Sequence, residues 1–172
     1  MALTLHDVDG AIVPDGLLEI WQANSHGRYN HPEDRLNLPL DAGFEGFGRA
    51  STDIKGVARF GTVRPGRVPW PAGGLQAPHI NISIFARGVL NRLATRLYFD
   101  GDPALSEDPV LKLVEPARRG TLLARRDKQG VYVNLFIPSE LDWSEKGFKL
   151  RQETKYPESP VITLTVTAAR PE

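Results

Sequence analysis

A chain of 172 residues suffices for one domain with a sizeable core, and 41% hydrophobic with 24% charged residues is ordinary for a soluble globular protein. Its 21 acidic and 21 basic residues cancel to a formal net charge of zero, which removes any general pull towards nucleic acid or an anionic membrane and mildly favours self-association. With no Cys, disulfides, thiolate metal sites and Cys nucleophiles are excluded, and no apolar run approaches the roughly 18 residues a membrane helix needs.

Met1 to Asp7 shows no basic region followed by an apolar run, so a cytoplasmic protein is expected. Leu17–Trp21, Val57–Phe60, Ile80–Phe85, Leu93–Phe99, Val131–Ile137 and Val161–Val166 combine β-branched or aromatic residues with partial alternation, which predicts strands. Turns are predicted at Asp53–Gly56, Arg64–Gly66 and Asp100–Pro103. The segment from His31 to Arg49, rich in Pro, Gly, Asn and Asp, reads as a long surface loop over the sheet. Helical pieces are predicted at Pro109–Leu113 and Pro116–Arg126, because Pro suits a helix start. Many short strands with Gly and Pro between them predict an all-β fold, an antiparallel sandwich or barrel.

Several motifs carry little. His6, His26 and His31 match no compact metal-ligand spacing. Arg118-Arg119 and Arg125-Arg126-Asp127-Lys128 read as a solvated basic face. Asn81-Ile82-Ser83 has the form of a glycosylation acceptor but sits in an apolar strand without a secretory signal. There is no G-x-S-x-G elbow, and Gly43 to Gly48 is no dinucleotide fingerprint. Glu140, Asp142, Glu145 and Glu153 read as strand-edge and turn charges, not as a catalytic acid pair.

Three blocks are more specific: Trp21 to His31, with Gly27-Arg28-Tyr29; Arg64 to Trp70; and Ala77 to Ser83, with His79-Ile80-Asn81. In this order and spacing they resemble the intradiol ring-cleaving dioxygenases. The resemblance runs from about Val8 to about Tyr132 and includes Leu18–Ala23, Pro78–Arg87 and Thr95–Phe99. It implies a sandwich in which two Tyr and two His would hold Fe(III). At those four positions this chain has Tyr29, Val68, His79 and Asn81. Val offers no donor and a neutral amide is a poor ligand for a hard ferric ion, so the site reads as degenerate.

Some members of that family pair an iron-bearing β subunit with a homologous iron-free α subunit. The run His79-Ile80-Asn81 followed by Phe85-Ala86-Arg87 resembles the α type. The resemblance therefore implies a non-catalytic subunit that binds no cofactor itself. Its partner would be a β subunit holding Fe(III), with an aromatic acid bound only in the hetero-complex.

The resemblance also makes Arg87 a candidate for that acid's carboxylate, since a guanidinium fork matches a carboxylate; the alternative is an exposed Arg at a strand end. Tyr29 is either a rim residue of a substrate cleft or a packed aromatic. For His79 the simpler alternative is a partly buried ring bonded to backbone.

The family's N-terminal arm is missing from this sequence, which is expected to be truncated there. The last forty residues depart from the family. Trp143 to Pro157 resembles a β segment of the glycoside hydrolase family 127 β-L-arabinofuranosidases. The expectation is one domain over 1–172, dioxygenase-like at 8–132 and divergent or foreign at 133–172. A recombined or engineered β-sandwich without activity, self-associating as a homo-oligomer, is the alternative.

Overall fold

The computed structural model describes residues 1–127, 130–136, 140–143, 148–154 and 162–168, with side chains as far as Arg125. Thirteen strands run through these residues: β1 (Ala2–His6), β2 (Leu17–Trp21), β3 (Phe47–Ser51), β4 (Val57–Arg59), β5 (Val68–Pro69), β6 (Leu75–Gln76), β7 (His79–Phe85), β8 (Leu93–Phe99), β9 (Leu123–Asp127), β10 (Gly130–Phe136), β11 (Glu140–Trp143), β12 (Phe148–Thr154) and β13 (Ile162–Ala168). Two short helices, α1 (Pro109–Leu113) and α2 (Pro116–Arg119), sit between β8 and β9.

Eight strands form one sheet in the order β3-β2-β7-β8-β9-β10-β1-β4. Its two ends fold over a shared core, in which Leu3, Leu5 and Ala58 from one end meet Leu18, Ile20, Ile80, Ile82, Ile84 and Leu97 from the other. Strict alternation explains which side chains go in: Leu18 and Ile20 of β2, and Ile80, Ile82 and Ile84 of β7, are buried. Burying each such side chain contributes about 1.5–3 kcal/mol. The same period sends Glu19 and Trp21, and with them Asn81 and Ser83, to the opposite face, where the site lies.

The sandwich is all-β as expected, but it is mixed and not purely antiparallel. β1 runs parallel to β10, with Ala2 opposite Tyr132, and β8 runs parallel to β9, with Tyr98 opposite Leu123. β11, β12 and β13 make a separate antiparallel sheet, and β5 pairs with β6.

Leu17–Trp21, Leu93–Phe99 and Pro109–Leu113 have the expected limits. The helix expected over Pro116–Arg126 ends at Arg119, and after a 3-10 turn Leu123–Asp127 is strand, because β8 and β10 offer it hydrogen-bonding partners on both sides. The expected loop stops at 46, since Phe47–Ser51 pairs with β2. Arg64–Gly66 is not a turn between strands: the Gly66 amide donates to the Asn24 carbonyl at 2.8 Å, pinning the segment against the Ser25–Gly27 bend. The expectations for Lys128, Ile137, Glu145 and Val161 lie outside the described residues.

Candidate functional site

Tyr29 is held by its own loop. The Asn24 side-chain oxygen accepts from the His26 and Arg28 amides at 3.0 and 2.9 Å, and Asp34 accepts from the Tyr29 amide at 2.7 Å. Gly27 permits the bend with φ of 85°. The loop lays the Tyr29 ring on Trp21 of β2, with centroids 5.6 Å apart and planes 14° from parallel.

His79 begins β7 with a buried ring. Its Nδ1 donates to the Ala77 carbonyl at 2.8 Å, which leaves the Nε2 lone pair facing the Tyr29 hydroxyl across a long 3.5 Å. Burial pushes the imidazole down to about 4, with the Arg96 guanidinium acting in the same direction. Burial also raises the Tyr29 phenol above its ordinary value, against the opposing influence of Arg96 and of the Asn81 side chain, while Asp34 adds to the rise. Both groups are therefore neutral at pH 7.

Asn81 lies opposite Arg96 in the β7–β8 register. Arg96 Nε donates to Asn81 Oδ1 at 3.1 Å, while Nη1 donates to Gln76 Oε1 at 2.8 Å and to the Tyr98 hydroxyl at 3.3 Å. Gln76 is the strand partner of Val68, which is buried, and its Nε2 donates to the Pro69 carbonyl at 3.1 Å. Tyr98 in turn donates to Asp108 at 3.1 Å, and burial pushes its phenol up to about 12.

Asp108 is fully buried, receives the Ala77 and Leu111 amides at 2.6 Å each, and caps α1, so that helix is tied to the strand edge carrying His79.

Beside this network a groove of about 690 Å³ runs along the outer face of β2, β7 and β8. Trp21 and Phe47 form one wall, while Val110, Val114 and Leu122 supply aliphatic surface from the helical segment. A second hollow lies at Tyr29, His31 and Asp34, on the Tyr29 side of the shared Trp21 ring.

The structure thus brings Tyr29, His79 and Asn81 together, while buried Val68 pairs with Gln76, whose side chain accepts from Arg96. Arg87 is elsewhere: it follows the far end of β7 and contacts Asp15 at 2.5 Å. His6 bonds to the Gly10 carbonyl, His26 to Asp41, and His31 packs edge-on to Trp21, so these three form no cluster. Among the described residues no group of three or more His, Asp or Glu could hold a metal ion. Arg96, Gln76 and Tyr98 were not singled out from the sequence, although a lone cation inside the apolar strand Leu93–Phe99 was a visible signal.

Residues 1–136 match the Dioxygenase family, and the chain belongs to it. Its relatives include the protocatechuate 3,4-dioxygenase alpha chain of Pseudomonas putida, 46% identical over 125 residues, which cover 71% of this chain and 60% of that one. The beta chain of the Burkholderia cepacia enzyme is 41% identical over 121 residues, covering 69% of this chain and 52% of the relative. The chain thus spans between half and two thirds of the length of the relatives it matches.

Hydroxyquinol 1,2-dioxygenase from Pseudomonas putida DLL-E4 superposes with a TM-score of 0.62 at 21% identity, over 80% of this chain and 55% of that one. 3-Chlorocatechol 1,2-dioxygenase from Rhodococcus opacus 1CP gives 0.62 at 24% identity, over 80% and 58%. The fold is therefore that of the intradiol dioxygenases. Residues 130–172 match the middle domain of the GH127 β-L-arabinofuranosidases. No helix among the described residues is long and apolar enough to cross a membrane.

Proposed function

We propose that this chain acts as the iron-free, α-type subunit of a protocatechuate 3,4-dioxygenase. It would help to form the aromatic-acid pocket in which a partner β subunit, carrying Fe(III), cleaves the catechol ring between its hydroxyl-bearing carbons. The observation that carries the reading is the donor set. Of the four corner positions only Tyr29 and His79 bear strong donors, Val68 bears none, and the Asn81 oxygen already accepts from Arg96. A cationic guanidinium in that corner and only two strong donors do not fit a ferric ion.

On this reading the residues of the chain bind and orient. Trp21 and Tyr29 offer flat surface, and Arg87, beyond the other end of β7, would serve the aromatic acid's carboxylate from the boundary with the partner subunit. A cytoplasmic setting belongs to the same reading.

Co-expression with a tagged protocatechuate 3,4-dioxygenase beta chain tests it. The expected result is a stable hetero-complex that turns over protocatechuate, with iron in proportion to the beta chain, while the isolated polypeptide is inert. Near-stoichiometric iron with a phenolate-to-iron absorption band in the isolated chain would overturn the reading.

A second reading, a recombined sandwich without a partner, is favoured by the overlap of the two family matches at residues 130–136, which coincide with β10. Failure to assemble with any beta chain supports it.

A further inference from the structure

We propose that the hollow at Tyr29, His31 and Asp34 is a binding site for a small organic cation of the methylated-ammonium class. The inference goes beyond the subunit reading, because the site lies within one chain and takes a ligand of the opposite charge to an aromatic acid.

The walls come first. Tyr29 lies nearly parallel to Trp21, with planes 14° apart and centroids separated by 5.6 Å, so the two rings overlap as a step and do not cover each other. His31 stands perpendicular to Trp21, with centroids 6.3 Å apart. The Glu33 amide donates to His31 Nδ1 at 3.3 Å and holds that ring upright. Three π-systems therefore meet at a corner, and aromatic faces attract a weakly hydrated cation.

The rim supplies the sign. The hollow, about 480 Å³, is lined by Trp21, Tyr29, His31, Glu33 and Asp34: two carboxylates, and neither Lys nor Arg. Among the described residues neither carboxylate makes an ion pair. Asp34 accepts from the Tyr29 and Leu36 amides at 2.7 and 2.9 Å, so its charge is fixed in place before any ligand arrives, which lowers the ordering cost of binding. The groove on the other side of the shared Trp21 ring carries Arg92 and Arg96, so the two concavities differ in charge and suit different ligands.

Two exclusions define the cation. A metal ion needs a compact ligand set, and no group of three or more His, Asp or Glu among the described residues could hold one. A methylated ammonium spreads its charge over C–H surface and needs no coordination, so ring faces and nearby carboxylates suffice. A phosphate attached beside the cation, as in a lipid headgroup, would be repelled by Glu33 and Asp34. The ligand is therefore a free cation without an anionic neighbour.

The test is calorimetric titration of the full chain with choline, with its uncharged isostere 3,3-dimethylbutan-1-ol and with phosphocholine, supported by saturation-transfer NMR from aromatic protons to the ligand methyl groups. Saturable binding of choline is expected, at least ~10-fold tighter than either of the others, with its methyl signals saturated through the rings. Glu33→Gln and His31→Ala, both at exposed positions, should each weaken choline at least ~3-fold while unfolding stays cooperative. Equal binding of the isostere or of phosphocholine overturns the proposal, as does unchanged choline affinity in either folded variant, or absence of saturable binding at millimolar choline. Should a variant fail to fold, the comparison of the three ligands on the unaltered chain still decides. Neither outcome bears on assembly with a beta chain, so the two readings fail separately.

Discussion

Arg96 and Asn81 face each other across β7 and β8, and the guanidinium Nε donates to the amide oxygen at 3.1 Å. A full positive charge thus stands beside a corner where the family resemblance would put a metal ligand. Restoring ligands alone should therefore not restore metal. The Val68→Tyr, Asn81→His double variant is expected to take up iron at least ~10-fold more weakly than the triple variant that also carries Arg96→Gln. Iron content after dialysis and the intensity of the phenolate-to-iron band measure the difference; equal uptake by both would show that Arg96 is irrelevant to the metal.

His79 gives the fold an acid sensitivity. Burial holds its imidazole down at about 4 in the folded chain, against 6.5 for the exposed ring. As pH falls below 6.5 the unfolded chain takes up a proton that the folded chain refuses until pH approaches 4, so stability drops across that window and is level above it. The loss amounts to about 3 kcal/mol at the acid end. Urea unfolding at pH 7, 5 and 4 should show the decline, and His79→Gln should flatten it; an identical slope in the variant would place the titration elsewhere.

Asp108 links α1 to the strand edge through three hydrogen bonds while fully buried. Asp108→Ala strands the Ala77 and Leu111 amides and the Tyr98 hydroxyl at once. A loss of about 3 kcal/mol is expected, lowering the melting temperature by roughly 6–12 °C. A shift below about 1 kcal/mol would mean that water replaces the carboxylate at little cost.

Two glycines with positive φ should behave differently. A Cβ on Gly27 would collide with the Arg67 carbonyl, whereas one on Gly73, at φ of 101°, meets nothing within 4 Å. Gly73→Ala should cost about 1 kcal/mol from backbone conformation alone. Gly27→Ala should cost at least ~2 kcal/mol, because the Tyr29 loop must move away from the Arg67 backbone. Urea midpoints of the two variants compare them; similar values would show that the loop yields freely.

Much of the sandwich was legible because burial imposes alternation. β2 and β8 read correctly from β-branched and aromatic residues with partial alternation, and α1 from a Pro at its start. The strand Phe47–Ser51 was not, since its inward positions are only half-buried and Gly and Ser weaken the pattern. Leu123–Asp127 looked helical because its partners, β8 and β10, are distant choices that no local rule encodes. That Tyr29, His79 and Asn81 adjoin agrees with the grouping the family resemblance implied, yet Arg96 was missed, because a strand cation reads as solvent-facing until the register sets it against Asn81.

The parallel pairing of Ala2–His6 with Tyr132–Phe136 has a kinetic consequence. Between the two in the chain lie all six other strands of the sheet, so β1 leaves the ribosome well before the strand it lies beside. Until that strand arrives, the backbone of β1 has only the short Val57–Arg59 strand as a sheet partner. A contact of such long sequence separation is slow to form, which makes closure of this seam the natural late step of folding.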